Sequence, residues 1–451
     1  MDSVMNNKSF SNTPQHLSEL VEEALKQAKA NGATAAEADV SEGFGYSVTV
    51  RLKEVETIEY NRDKNLSVTV YFGQKKGHAS TSDLSLSALK DTVDKATTIA
   101  KYTAADEFAG LADANLFAKA PFPDLNLYHP WNLPVEEAVT LAKRCEEEAL
   151  KVDKEIHNSE GATVYTQESQ FVYGNSAGFL GGFSGSSHGI SCSVIAGVDS
   201  NMQRDYWYTT ARDAKDMDNP EKVGHEAGIR TVRRLHARRV KTCKVPVLFD
   251  ATLASGLLGH FVGAVSGGAQ YRKSSFLLNS LDKAVFAPQI QIIEDPFILK
   301  GLASTPFDDE GVQTTRRQVV KDGVLQGYFL SSYSARKLGL QTTGNSGGSH
   351  NLIIQPFGGS FEDLLKQMGT GLWVTELLGH GVNSVTGDYS RGAAGFWVEN
   401  GQIQFPVQEV TIAGNLKDMF KHIIGVGNDV LIRGSKITGS ILIENMTVAG
   451  E

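Results

Sequence analysis

Cysteine is scarce in this chain: its 451 residues include three, Cys145, Cys192 and Cys243. The number is odd and no pair has Cys-x-x-Cys spacing, which argues against a disulfide framework and fits a reducing compartment. Long apolar runs are also missing. None approaches the roughly 20 residues of a membrane-spanning helix, and the first fifteen positions, Met1 to Gln15, have no apolar core of the kind a secretory signal needs. Cytoplasmic location with no membrane partner is the expectation. Positive charge is in deficit, with 43 Lys+Arg against 52 Asp+Glu and a net charge of −9. Such a chain has no general attraction for nucleic-acid phosphates or an anionic bilayer. Its one basic cluster, Arg230 to Arg239, reads as a solvated helix face, so no nucleic-acid partner is expected. There is no Gly-x-x-x-x-Gly-Lys-[Ser/Thr] loop, and the pairs Gly267-Gly268 and Gly347-Gly348 read as tight turns. Gly182-Phe183-Ser184-Gly185 lacks the second glycine at the offset a hydrolase nucleophile elbow requires. No internal repeat of 20–50 residues appears.

The rest of the chain is ordinary globular material, 41% hydrophobic and 21% charged, and long enough for two cores. Residues 1–12 are polar and read as a frayed end. A helix is expected from Thr13-Pro14, with Thr as N-cap and Leu17, Val21, Leu25 and Ala28 on one face, ending at Asn31-Gly32. Three alternating segments follow, Tyr46 to Leu52, Glu54 to Tyr60 and Leu66 to Phe72, which read as half-buried antiparallel strands. Ser82 is the expected cap of a second helix carrying Leu86, Leu89, Val93, Ala96 and Ala100. A Pro-rich loop spans Pro121 to Pro134. A third helix covers about Val135 to Val152, with Ala138, Leu141, Cys145 and Ala149 inward. Strands over about 160–215 and a helix over about 220–236 come next. From Val245 glycine becomes frequent, and Asp322-Gly323 and Asn400-Gly401 are hairpin signals between apolar runs. Helices and antiparallel strands in blocks give an α+β fold. It divides into an N-terminal α+β domain at 1–240 and a Gly-rich, mostly antiparallel β domain at 241–451.

Chemistry is harder to find. A zinc peptidase needs two converging imidazoles, a carboxylate to accept a proton from the bound water, and a third ligand. His225-Glu226 has Ile229 where the second histidine would stand, so it reads as a helix surface. His260, His350 and His380 lie in the second half. Three loops could bring them together, but His350 in Gly-Gly-Ser-His-Asn and His380 in Gly-His-Gly read rather as loop histidines bonded to backbone. Asp308-Asp309-Glu310 reads as a solvated turn partly neutralised by Arg316 and Arg317.

Longer strings are more specific. Gly301-Leu-Ala-Ser-Thr-Pro-Phe-Asp-Asp-Glu-Gly311, Ser334-Ala-Arg-Lys-Leu-Gly-Leu340, Gly387-Asp-Tyr-Ser-Arg-Gly-Ala-Ala-Gly-Phe-Trp-Val-Glu-Asn-Gly401 and Ala413-Gly-Asn-Leu-Lys-Asp-Met419 resemble the TldD/PmbA family. So do Gly77-His-Ala-Ser-Thr-Ser-Asp-Leu84 and Val172-Tyr-Gly-Asn-Ser-Ala-Gly178. The resemblance covers nearly the whole chain. It implies one subunit of a two-component metalloprotease that degrades unfolded or extended peptides, matures a modified peptide antibiotic and removes an antitoxin. An older family label, modulator of DNA gyrase, carries no implication that this chain touches DNA.

In TldD-type subunits of that family the metal sits on a His-Glu-x-x-x-His helix after a Leu-Leu pair, with a late cysteine as a further ligand. The comparable segment here is Leu257-Leu258-Gly259-His260-Phe261-Val262-Gly263-Ala264. Gly259 stands for the first metal histidine, His260 for the glutamate and Ala264 for the second histidine, and no cysteine follows Cys243. Glycine and alanine have no side-chain electron pair for zinc. The resemblance therefore implies a subunit with no catalytic or metal residues of its own, zinc on a TldD-like partner, and peptide substrates. Two alternatives stay open: a homodimeric peptide-binding scaffold without protease activity, and a peptidase with a relocated site on His260, His350 and His380.

Overall fold

The computed structural model describes residues 10–450. The first helix, α1 (Pro14–Ala30), starts as its sequence dictates. Pro14 needs no N–H partner in the first turn, the Thr13 hydroxyl accepts from the His16 N–H at 3.2 Å, and Leu17, Leu20, Val21, Ala24 and Ala28 form the buried face. Leu25 is only half-buried. The expected frayed end lies outside the described residues over its first nine positions and is corrected at residues 10–12. The Glu42 carboxylate accepts from the Ser11 and Asn12 backbone N–H groups at 2.6 and 3.1 Å, and Phe10 lies edge-on to Phe44 with centroids 5.1 Å apart.

One six-stranded antiparallel sheet organises the first half. Its strands are β1 (Ala35–Arg51), β2 (Glu54–Phe72), β3 (Lys75–Thr81), β4 (Ile156–Asn175), β5 (Leu180–Ala196) and β6 (Gln203–Ala211), in the order β3-β2-β1-β4-β5-β6. The segments read as separate strands at 54–60 and 66–72 are one strand. The polar stretch Asn61 to Asn65 does not break it, because it pairs with Gly45 to Ser41 and β3 joins the other side only from Leu66 onward. The polar side chains lie on an outer edge, where solvent satisfies them. The β1–β2 turn is made by Leu52 and Lys53, both left-handed (φ 49° and 70°), with none of the residues that usually announce such a turn.

Helices cover one face of this sheet. α1 and α2 (Leu86–Tyr102) close a core over β1 and β2, and α3 (Val135–Lys151) and α4 (Pro220–Arg233) close a second over β4 and β5. The cap of α2 is Ser85 rather than Ser82, its hydroxyl accepting from the Ala88 N–H at 3.3 Å, and Leu86 is exposed in this first turn. In α3 the inward residue is Ala142, with Leu141 half-buried. The α3–α4 contact depends on Gly224, where a Cβ would sit 1.9 Å from the Cys145 carbonyl oxygen. The three cysteines are free thiols.

The arginine cluster is a structural joint rather than a solvated face. Arg230 and Arg234 contact Asp205 at 3.5 and 3.6 Å, Arg234 also grips Glu376, Arg233 lies 5.2 Å over Trp373, and Arg239 pairs with Glu409.

The second half begins with β7 (Cys243–Phe249), α5 (Ala251–Ala264) and α6 (Gly267–Tyr271). Gly267 therefore opens a short helix instead of a turn. It follows a helix rather than a strand, and its N-cap is Ser266. Next come β8 (Ile292–Asp295), β9 (Arg317–Lys321), β10 (Val324–Leu325), α7 (Ser332–Leu338), β11 (Asn351–Ile354), α8 (Phe361–Met368), β12 (Gly371–Leu378), β13 (Asp388–Glu399), β14 (Gln402–Asn415), α9 (Leu416–Lys421), β15 (Ile423–Val426), β16 (Lys436–Ile437) and β17 (Ile441–Ala449). Both hairpin signals are real turns: Asp322-Gly323 joins β9 to β10 and Asn400-Gly401 joins β13 to β14, all four residues left-handed. One sheet runs β14-β13-β12-β7-β17-β15, and β14 also pairs with β17, closing it. The other runs β10-β9-β8-β11-β16. Two of these pairings, β7–β12 and β11–β16, are parallel and the rest antiparallel, an α+β fold as expected.

The halves meet on the face of the first sheet that its helices leave open. Phe307 inserts among Phe122, Phe179, Phe171 and Phe183, with centroids 5.0 to 6.2 Å apart. Arg212, just past β6, donates to the carbonyls of Gly301 and Leu302 at 3.1 and 2.9 Å.

Candidate functional site

α5 is apolar on one side and small on the other. Asp250 caps it, accepting from the Thr252 N–H at 3.0 Å and from the Trp373 indole at 3.2 Å. Leu257, Leu258 and Phe261 are buried in the core of the second half. On the opposite stripe, a Cβ added to Gly256 or Gly263 would meet nothing within 4 Å. The small residues leave this side of the helix open.

That open side borders a groove, a row of neighbouring cavities that share lining residues and begin where the halves meet. The groove starts as a cavity of about 770 Å³ on the β5–β6 face, where Tyr206 and Tyr208 stack with centroids 6.2 Å apart. A second cavity of about 230 Å³ shares Tyr208, Arg433, Gly434 and Ser435 with it. A third, also about 230 Å³, shares Thr252 and Ser255 with the second and ends on His260, Tyr389 and Arg391.

The charge of this groove has one sign. Arg212, Arg433, Lys436 and Arg391 line it, and among the described residues no Asp or Glu does. None of the four makes an ion pair with another described residue. Arg433 lies 3.8 Å over the Trp207 ring and 4.2 Å over Tyr208, and Lys436 donates to the Ser435 hydroxyl at 3.1 Å. The Arg391 Nε is buried with no hydrogen-bond partner among the described residues. Burial pushes the pKa values of Arg212, Arg433 and Lys436 down, since desolvation disfavours the charged form. His260 is lowered by burial and then by Arg391, so the imidazole is neutral at pH 7. Burial pushes the Tyr389 hydroxyl up to about 12, with Arg391 opposing it.

A zinc ion does not fit these residues. Gly259 and Ala264 supply no donor atom, and the nearest neighbour of a Cβ built on Gly259 is the Lys436 Cε at 3.9 Å. A divalent cation at Gly259 would face Lys436, and one beside His260 would face Arg391, with one imidazole and no carboxylate to hold it. Among the described residues no three His, Cys, Asp or Glu side chains form a group that could hold a metal, so His260, His350 and His380 are not assembled into one. His350 is a buried loop histidine, bonded through Nε2 to the Gly344 carbonyl at 2.8 Å, with its backbone N–H on Glu294. His380 is exposed after β12, and His225 is exposed on α4.

The acidic triplet is not a solvated turn. Asp308 is 3% exposed. It accepts from the backbone N–H groups of Glu310, Val312 and Ser346, each at 2.9 Å, and so fixes the loop that presents Phe307. Burial raises its pKa to about 7, the Ser346 N–H opposing and Glu310 adding to the rise. Arg316 and Arg317 pair instead with Asp295 and Glu294, at 3.1 and 2.7 Å.

Family profiles match in three consecutive blocks: the PmbA/TldA metallopeptidase domain 1 at residues 36–100, the central domain at 128–235 and the C-terminal domain at 242–450. Metalloprotease PmbA of Escherichia coli O157:H7 is 51% identical over 437 residues, covering 96% of each chain. The chain belongs to the PmbA/TldD family. Among solved structures in this family's fold, a Bacteroides thetaiotaomicron protein classed as a modulator of DNA gyrase superposes with a TM-score of 0.92 at 28% identity, covering 97% of this chain and all of the other. TldE of Thermococcus kodakarensis has a TM-score of 0.84 at 20% identity, over 96% of this chain and all of the other, and so shares the fold. A PmbA/TldE-type family assignment carries metalloprotease chemistry as a family property. No helix among the described residues is long and apolar enough to cross a membrane.

Sequence reasoning missed the groove cations. Arg391 was inside a quoted family string, and Arg433 and Lys436 lay in an unremarked loop. The available signal was the strand phase of β13, in which Tyr389 and Arg391 are two residues apart and share one face.

Proposed function

We propose that this chain is the non-catalytic subunit of a PmbA/TldD-type metalloprotease, paired with a zinc-bearing TldD-like chain and engaging extended peptides in the groove between its halves. It acts as two units, 1–240 and 241–451, with Gly259, His260 and Ala264 at the degenerate motif and no metal of its own. The observation that supports this reading is α5, where Gly259 and Ala264 offer no ligand and the Lys436 Cε lies 3.9 Å from a Cβ built at Gly259, the position of a first metal histidine. A groove with open walls and stacked tyrosines suits an extended backbone more than a folded domain. Antibiotic maturation and antitoxin removal are the peptide-processing roles this reading includes, in the cytoplasm.

The test is to purify the chain alone and together with a TldD-like chain. The expected outcome is zinc near zero per lone chain by elemental mass spectrometry, a mixed complex by size-exclusion chromatography, and cleavage of an unfolded peptide by the complex only. Zinc near one per lone chain, or a mixture that neither associates nor gains cleavage, refutes the reading.

A further inference from the structure

We infer that the cavity beside His260 on α5 is a carboxylate-binding site built on Arg391, with Lys436 lining the adjoining cavity, which makes the groove selective for extended peptides bearing an acidic group. The inference deepens the proposed function and rests on it for the identity of the ligand as a peptide.

Three observations converge. The first is the substitution of charge. A metalloenzyme holds a doubly charged ion on this helix to draw in and polarise an oxygen of its substrate. This chain holds two side-chain cations around the same helix, with Lys436 against Gly259 and Arg391 in the cavity that contains His260. Attraction for a substrate oxygen is kept, while the activated water is lost with the ion. The second is the lack of internal neutralisation. In a chain with a net charge of −9, Arg391 and Lys436 make no ion pair among the described residues, and no Asp or Glu lines any of the three connected cavities. The third is the orphaned donor. The Arg391 Nε is buried without a hydrogen-bond partner among the described residues, a cost the fold leaves on the guanidinium that lines this cavity.

The cavity of about 230 Å³ has the volume of roughly eight waters, enough for a carboxylate with a short stem but not for a folded partner's surface. A carboxylate is the group that matches a guanidinium fork. The hydroxyls of Thr252 and Ser255 flank the same cavity. Two sources supply that chemistry, an Asp or Glu side chain within the peptide and the free C-terminal carboxylate. General electrostatics would work against both, because the protein as a whole repels anions, so a preference for acidic peptides reports the local site.

The experiment measures fluorescence anisotropy of labelled ten-residue peptides with the full-length chain, alone and in complex with a TldD-like chain. One peptide is neutral and amidated, one is the same with a free C-terminal carboxylate, and one is amidated with a central glutamate. The expected result is that at least one acidic peptide binds about tenfold more tightly than the neutral one, the size of one charge-assisted hydrogen bond. Raising salt should erode that advantage. Arg391→Gln and Lys436→Gln should each remove most of it, and Arg391→Lys should restore part. Which acidic peptide gains identifies the source. Equal binding of all three peptides, no binding by any, or a preference that survives both glutamine variants with unchanged melting temperatures overturns the inference. Complex formation and cleavage are read separately. A cleaving complex without acidic preference overturns this inference alone, and acidic preference without a complex overturns only the subunit reading.

Discussion

Replacing Arg212 with methionine should loosen the joint between the halves more than any surface substitution would. The side chain leaves the end of β6 and makes three bonds, to the carbonyls of Ser186 at 3.2 Å, Gly301 at 3.1 Å and Leu302 at 2.9 Å. Two of the three cross to the second half. Bonds from a charged donor are worth about 1.5 kcal/mol each at the low end, or roughly 4.5 kcal/mol for three. Desolvation opposes this, as the lowered pKa of Arg212 shows, and methionine, which fills much of the same space, recovers about 1 to 2 kcal/mol of it. The expected net loss is about 3 kcal/mol. Equilibrium urea unfolding followed by tryptophan fluorescence measures it. The midpoint should fall, and a single transition should separate into two as the halves lose cooperation. Arg212→Lys, with a compact ammonium in place of the fork, should fall between the two. A midpoint shift worth less than about 0.5 kcal/mol, or lysine and methionine variants that behave alike, would refute the reasoning.

Three other outcomes are expected. Asp308 is raised from its ordinary value to about 7 in the folded chain, so the native state holds a proton the unfolded state has released. Its contribution is full below about pH 4 and is lost as pH rises toward 7, by up to about 4 kcal/mol; Asp308→Asn should flatten that slope in urea titrations across the window. Gly224→Ala drives a Cβ to 1.9 Å from the Cys145 carbonyl oxygen and 3.2 Å from the Ala149 nitrogen, so α3 and α4 must separate, at about 3 kcal/mol, seen as a lower calorimetric melting temperature. Phe261 is fully buried on the core side of α5, so Phe261→Ala should cost about 4 kcal/mol in urea unfolding while peptide anisotropy below the transition is unchanged.

The fold was legible wherever local chemistry decides it. Thr13-Pro14 at a helix start, and Asp322-Gly323 and Asn400-Gly401 at hairpin tips, carry their geometry within two or three residues. Legibility failed where the deciding partner is distant in sequence. The run Asn61 to Asn65 looks like a break until β1 is laid beside it, and Leu52-Lys53 turns left-handed because two long strands leave it no alternative. Asp308 reads as a surface acid because its three N–H donors, one of them from Ser346, are invisible in the triplet itself. The candidate site divides the same way. The absence of donor atoms at Gly259 and Ala264 is apparent from one segment, whereas the groove cations Arg391 and Lys436 come from β13 and β16, more than a hundred residues further along the chain.

The two halves differ in one topological respect. In the second, β14 bonds to β17 and the larger sheet closes on itself. In the first, β3 and β6 terminate an open sheet, and among the described residues β2 before Leu66 has β1 on one side and no strand on the other. As a building block the molecule therefore has a directional valence. A strand from another chain can join it by backbone pairing along β2 in the first half, whereas β7, β12, β13, β14 and β17 each have strand partners on both sides and offer a neighbour side chains and loops.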